Sequence, residues 1–286
     1  MTPRDPRIVL ARPDLAASGL EGAARAKRFV DTTPMQIIRP AAALRSAPDP
    51  TAEQVDQLLF GEMFDLAEVA NGHAWGQARR DGYVGFVDAD ALSIVGHAPT
   101  HWIGTLRTFA FKTPSIKAPA RGPLSLNALV CVTEEHNSLA HAVGLGWIAA
   151  AHLTPIGTFL SDPAGVAERF VGTPYLWGGR DSLGLDCSGL VQQALYACGF
   201  ACPRDNDQQA TLGAPTSSDA QRRGDLVFWP GHVGLMMDSE RLIHANAHHM
   251  AVAIEPLEEV VARIRAAGAG DPTAYRQFQR SPASTR

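Results

Sequence analysis

The most restrictive stretch of the chain is residues 184–199, where small and polar residues run straight into apolar positions at helical spacing. Leu190, Val191, Ala194, Leu195 and Cys198 share one face, Asp186 is placed to cap the N-terminus, and Gly199 supplies a stop. The spacing predicts a helix packed into a core, with Cys187 in its first turn. Backbone N–H groups and the helix dipole at that end favour a thiolate, the reactive form of cysteine. Taken alone, such a cysteine reads as an inert core residue. The strands downstream of it change that reading.

Strand patterns occupy 224–229, 232–237, 241–246 and 250–254, and a helical one covers 257–267. A helix followed by hairpin strands is an α+β arrangement. The loop 238–240 joins the strands that carry His232 and His244. For so short a connection, paired residue numbers sum to roughly 476–478, and period-two alternation then puts both histidines on one face. Thiolate chemistry needs a base beside the sulfur and a partner that fixes the base's tautomer. Cys187, His232 and His244 supply nucleophile, base and orienter in that order. His248 and His249 are the nearest substitutes for the third role.

Upstream, short strand patterns at 35–38, 57–62, 64–69, 74–78 and 83–87 are broken by the turn pairs Asn71-Gly72 and Asp81-Gly82. They predict a small barrel over 31–92. A weaker copy is expected over 93–155, because Gly85-Phe86-Val87 and Leu92 align with Gly146-Trp147-Ile148 and Leu153 at a constant offset of 61. Residues 1–30 form an extension with a weak helical pattern from Leu15 to Val30. A short helix with proline at its start is expected over 163–170, opening a last domain at 156–286.

Composition excludes several classes. A net charge of −4 with no Lys/Arg cluster offers no face for nucleic acid. Four irregularly spaced cysteines make no disulfide framework, and Cys198/Cys202 lack the second pair that structural zinc needs. No cofactor or metal is called for. No apolar run suits a membrane span or a signal peptide, so a cytoplasmic location is the expectation.

Five segments carry a resemblance. These are Tyr175-Leu176-Trp177-Gly178-Gly179, Asp186-Cys187-Ser188-Gly189-Leu190, Arg223-Gly224-Asp225-Leu226-Val227-Phe228, Gly231-His232-Val233-Gly234 and Leu242-Ile243-His244-Ala245. Together and in this order they resemble the NlpC/p60 family of papain-like cysteine peptidases, and the upstream barrels resemble bacterial SH3-like modules. The resemblance implies two SH3-like barrels followed by an α+β papain-like catalytic domain. The activity it implies is hydrolysis of peptidoglycan-derived peptides at the bond between γ-D-glutamate and the following diamino acid. It also implies that Cys187 is the nucleophile, His232 the base, His244 the orienter, and Tyr175 a residue near the oxyanion. Asp186 and Ser188 match positions that line the substrate groove, although helix capping explains them equally well. Glu62 and Tyr83 resemble an acid and a tyrosine that read the free amine of an N-terminal L-alanine in relatives that trim free muropeptides. Their plain alternatives are an edge-strand charge and a core aromatic. Two rivals stand beside the peptidase: an amidase or acyltransferase on the same scaffold, and a catalytically silent wall-binding protein.

Overall fold

The computed structural model describes residues 5–278. It divides into two compact units. One is built from the chain up to Thr158 together with Trp177–Ser182, the other from Phe159–Leu176 and the chain from Leu183 onward.

In the first unit, β1 (Leu15–Ala17) and β2 (Arg28–Val30) pair in parallel around a 3-10 turn at Ser18–Leu20. The helix expected over 15–30 does not form. Gly22 sits at φ +77, and Leu15 is buried with Leu10 and Trp75 instead of serving a helix face. Next come β3 (Thr33–Ile37), β4 (Ala41–Arg45), β5 (Gln54–Leu59), β6 (Met63–Ala70), β7 (His73–Ala78), β8 (Val84–Asp88) and β9 (Leu92–Ile94). They form one seven-stranded sheet in the order β5-β4-β8-β7-β6-β3-β9, closed over Ile37, Leu44, Leu58, Phe64 and Val87. Asn71 and Gly72 both take positive φ in the β6–β7 turn, as an Asn-Gly hairpin requires.

The chain continues through β10 (His101–Ile103), β11 (Arg107–Phe111), β12 (Ala120–Ser125), β13 (Leu129–Val130), β14 (Val132–His136), β15 (Leu139–Ala142), β16 (Gly146–Ala149) and β17 (Leu153–Pro155). These make a five-stranded sheet, β12-β11-β16-β15-β14, and a three-stranded one, β13-β10-β17. The repeat seen in sequence has a structural counterpart. The 3-10 turns Ala89–Ala91 and Ala150–His152, each leading into its strand (β9 and β17), recur 61 residues apart.

The second unit holds α1 (Pro163–Glu168), α2 (Cys187–Ala197), α3 (Asn206–Gln209) and α4 (Leu257–Ala266). Its sheet comprises β18 (Ala214–Pro215), β19 (Leu226–Trp229), β20 (His232–Met236), β21 (Arg241–Asn246), β22 (Ala251–Pro256) and β23 (Ala274–Gln277), in the order β18-β23-β19-β20-β21-β22. α2 packs on β20 and β21. All eleven of its residues are buried, so it is a central helix and not a one-faced surface helix. Polar side chains on it bond inside the unit: the Gln192 amide donates to the Tyr196 hydroxyl at 3.0 Å, and that hydroxyl donates to the Cys202 carbonyl at 2.7 Å. Gly199, at φ +82, ends the helix where the sequence places the stop. Among the described residues, no helix is long and apolar enough to cross a membrane.

Candidate active site

Cys187 opens α2. The N-cap is Asp186, whose Oδ1 accepts the Gly189 amide at 2.8 Å. The same carboxylate is forked by the buried Arg204, at 3.0 and 2.6 Å, and Arg204 also donates to the Ser188 hydroxyl at 2.7 Å. Asp186 and Ser188 therefore build the helix terminus, and Arg204 is a residue that motif reading missed. Its only sequence signal was a lone arginine after Pro203.

The first registered pairs of β20 with β21 are Leu235 with Ile243 and Met236 with Leu242, a register that sets His232 and His244 diagonally on one face. His232 Nε2 lies 2.8 Å from His244 Nδ1, and His244 Nε2 lies 2.7 Å from Glu255 Oε2. Glu255, on β22 opposite Leu242, is in turn forked by Arg263 of α4 at 2.7 Å to each oxygen. The row Arg263–Glu255–His244–His232 assigns every proton. An ionised Glu255 only accepts, so His244 carries its proton on Nε2 and presents a bare Nδ1. His232 must then donate from Nε2, which leaves its Nδ1 as a lone pair. His249 approaches the same carboxylate at 3.5 Å, and His248 stacks edge-on against His249.

The sulfur meets this row through the backbone. The amide of Val233, the residue after His232, and that of Ser188 lie beside the Cys187 sulfur and both act to lower its pKa. Tyr175 is held by a bridge to Leu185 and by its amide on the Met250 carbonyl at 2.9 Å, within electrostatic reach of Cys187. Its phenol is pushed up by burial and then by Cys187, so it stays protonated and can donate. A cavity of about 350 Å³, walled by Trp229, Pro230, Arg263 and Ile264 among others, opens beside His232 and His244.

Charge states differ from the sequence expectation at one point. Burial, then the carboxylate of Asp186, pushes the Cys187 thiol up to about 12, and these outweigh the Val233 amide, the Arg204 guanidinium and the Ser188 amide. Burial, then His244, holds His232 down to about 3. The resting pair is a thiol and a neutral imidazole, not a preformed thiolate. Glu255 is held at about 2: burial works to raise it and is outweighed by Arg263 and His244. The unfolded chain takes up protons at ordinary values near 6.5 and 4.5, while the folded chain resists them. Stability is thus complete above about pH 6.5 and is lost on acidification, His232 contributing down to about 3 and Glu255 down to about 2. Urea midpoints should fall steadily from about pH 7 to about pH 4. A midpoint unchanged over that range would contradict these charge states.

Glu62 and Tyr83 belong to the first unit. Tyr83 is 7% exposed and belongs to the core of the seven-stranded sheet. Glu62 is 2% exposed, and its Oε1 accepts from Arg180 at 3.0 Å and Arg80 at 2.7 Å. Its Oε2 accepts from Arg180 at 2.6 Å and from the Leu59 amide at 3.1 Å. An acid open to a substrate amine was expected; four donors already fill this one. Cys198 and Cys202 are buried thiols, and no group of three or more His, Cys, Asp or Glu suited to a metal occurs among the described residues.

A sulfur at a buried helix terminus, touching a strand that carries a proton-ordered histidine row, defines the class as a cysteine hydrolase. Comparison with known proteins agrees and narrows it. The NlpC/P60 family matches residues 172–269, and the bacterial dipeptidyl-peptidase SH3 domain matches residues 44–92. The chain carries an NlpC/P60 cysteine peptidase domain joined to that SH3 domain. It is 28% identical over 250 residues to dipeptidyl-peptidase 6 of Lysinibacillus sphaericus, covering 78% of this chain and 91% of that protein. It is 34% identical over 100 residues to the gamma-D-glutamyl-L-lysine dipeptidyl-peptidase of Bacillus subtilis, a match spanning 32% of this chain and only 34% of that relative. An NlpC/P60 family protein from Bacillus cereus has a similar fold, with a TM-score of 0.73 and 18% identity over 86% of this chain and 99% of that one.

Proposed function

We propose that the chain hydrolyses the bond between γ-D-glutamate and the following diamino acid in cell-wall stem peptides whose N-terminal L-alanine is free. The supporting observation is the proton-ordered row ending at His232, beside the strand amide that touches the Cys187 sulfur. In this reading Cys187 Sγ attacks the γ-carbonyl carbon while its proton passes to His232 Nδ1. Tyr175 donates to the oxygen that becomes negative. The proton then moves from His232 to the leaving amine, and the peptide bond breaks to leave a thioester. Water, deprotonated by the same Nδ1, attacks that thioester and frees the dipeptide and the thiol. The cavity beside the histidines accommodates the departing diamino acid.

The free-amine preference draws on the matched SH3 domain and on relatives named dipeptidyl-peptidases, not on Glu62. We also read the two upstream sheet systems as tandem SH3-like modules, the second a diverged copy of the first. An intact row of hydrolytic residues speaks against a silent wall-binding protein. Mass spectrometry of L-Ala-γ-D-Glu-diamino acid digests should show L-Ala-γ-D-Glu and the free diamino acid, with the N-acetylated peptide turned over more slowly. Equal rates on both peptides would remove the dipeptidyl reading. Turnover of lipid amides with none of the peptide would replace it with the amidase or acyltransferase.

A further inference from the structure

Residues 177–182 lie in sequence between Tyr175 and Cys187, yet they fold as part of the first unit. Three ties hold this strap there. At its start the Trp177 indole N–H donates to Glu53 at 2.8 Å, and Gly178, at φ +70, presses so close to the Gln54 carbonyl that a Cβ would stand 2.4 Å from its oxygen. At its end the Ser182 amide donates to the Ser125 hydroxyl at 3.0 Å. In the middle is Arg180, fully buried, whose amide donates to the Gln57 side chain and whose Nε donates to the Gln57 carbonyl, both at 2.8 Å. Its two terminal nitrogens fork onto Glu62, and Asp56 stands 3.4 Å from Nε. With Arg80, two guanidiniums face the carboxylates of Glu62 and Asp56.

A carboxylate has about four acceptor sites, and Glu62 has all four occupied. A substrate ammonium would have to displace one of these donors. We propose that Glu62 is instead a positioning residue: acting through Arg180, it fixes the strap that leads in from Tyr175 and out to Cys187. Losing one partner of a buried pair leaves the other charge without compensation, so the strap must shift to hydrate it. A displacement of about 1 Å at a reacting group costs on the order of 10²-fold in rate. The proposal rests on Cys187 being the reacting group and needs no particular substrate.

The test compares wild type with Glu62→Gln on free and N-acetylated stem tripeptide, together with the rate at which iodoacetamide labels Cys187, read by peptide mapping. Positioning predicts that kcat falls about 10- to 100-fold on both peptides, with KM little changed, and that Cys187 labelling changes rate in parallel. A rise in KM confined to the free-amine peptide would overturn the proposal, since Glu62 would then be reading the substrate. Unchanged kcat and unchanged labelling would overturn it too. Should Glu62→Gln fail to fold, Arg180→Lys keeps the buried charge and removes the fork, and the same two readouts apply. If wild type cleaves neither peptide, the proposed substrate is wrong, while the labelling rates still decide the role of Glu62.

Discussion

Replacing Cys187 with alanine should lower hydrolysis of the stem tripeptide by about 10⁴-fold or more, because attack by sulfur has no substitute in this site. The fold should survive. Cys187 contributes one small buried side chain, while α2 is held by Leu190, Val191, Ala194 and Leu195 and capped by Asp186. A loss of about 1 kcal/mol is the expected scale for such a change. Cys198→Ala with Cys202→Ala is the matched control. Both thiols are buried at the far end of the helix or beyond it, so the double variant should keep most of its activity. Loss in the control with retention in Cys187→Ala would place the nucleophile elsewhere.

His232→Ala should be as damaging as Cys187→Ala, and the two together no worse than either, since they act as one unit. The rest of the row separates orientation from proton transfer. In Glu255→Gln the new amide can donate to His244 Nε2, which drives the His244 proton to Nδ1 and forces the His232 proton onto the nitrogen that must stay bare. The tautomers of both rings reverse. kcat should fall by about 10²- to 10⁴-fold with KM little changed, on the scale of wrong-tautomer variants in catalytic triads. His244→Asn or →Gln should keep more activity than His244→Ala, because an amide oxygen still accepts from His232 Nε2. If Glu255→Gln matches wild type, the tautomer is set by some other group, and His249 is the first to examine.

The parts of the site legible in sequence are those written in local patterns. The cap, apolar spacing and glycine stop of α2 act within a dozen residues, and the hairpin that joins His232 to His244 is set by a short loop and period-two alternation. Glu255 and Arg204 carry no such pattern. Each is an ordinary charged residue until the fold brings it to its partner, so only tertiary contact reveals it. The strap at 177–182 was hidden for a similar reason: Arg180 sits next to the catalytic motifs, while its partners Gln57 and Glu62 lie more than a hundred residues earlier. Among the strands that local pattern does not reveal are β4 and β12. β4 begins with three alanines and β12 contains Gly122-Pro123, residue types that do not announce a strand. The helix expected over 15–30 failed because small residues at helical spacing offered little area to bury, whereas Leu15 found a core with Leu10 and Trp75.

The measurement that bears most directly on the central claim is covalent capture. Wild type would be treated with an L-Ala-γ-D-Glu chloromethyl ketone, which places an electrophile where the scissile carbonyl belongs, and the labelled residue found by peptide mapping. The dipeptide should be attached to Cys187 and absent from Cys131, Cys198 and Cys202, with labelling of Cys187 strongly slowed in His232→Ala. Label on another cysteine, or equal labelling of Cys187 with and without His232, would contradict a nucleophile at the start of α2 activated by the histidine row.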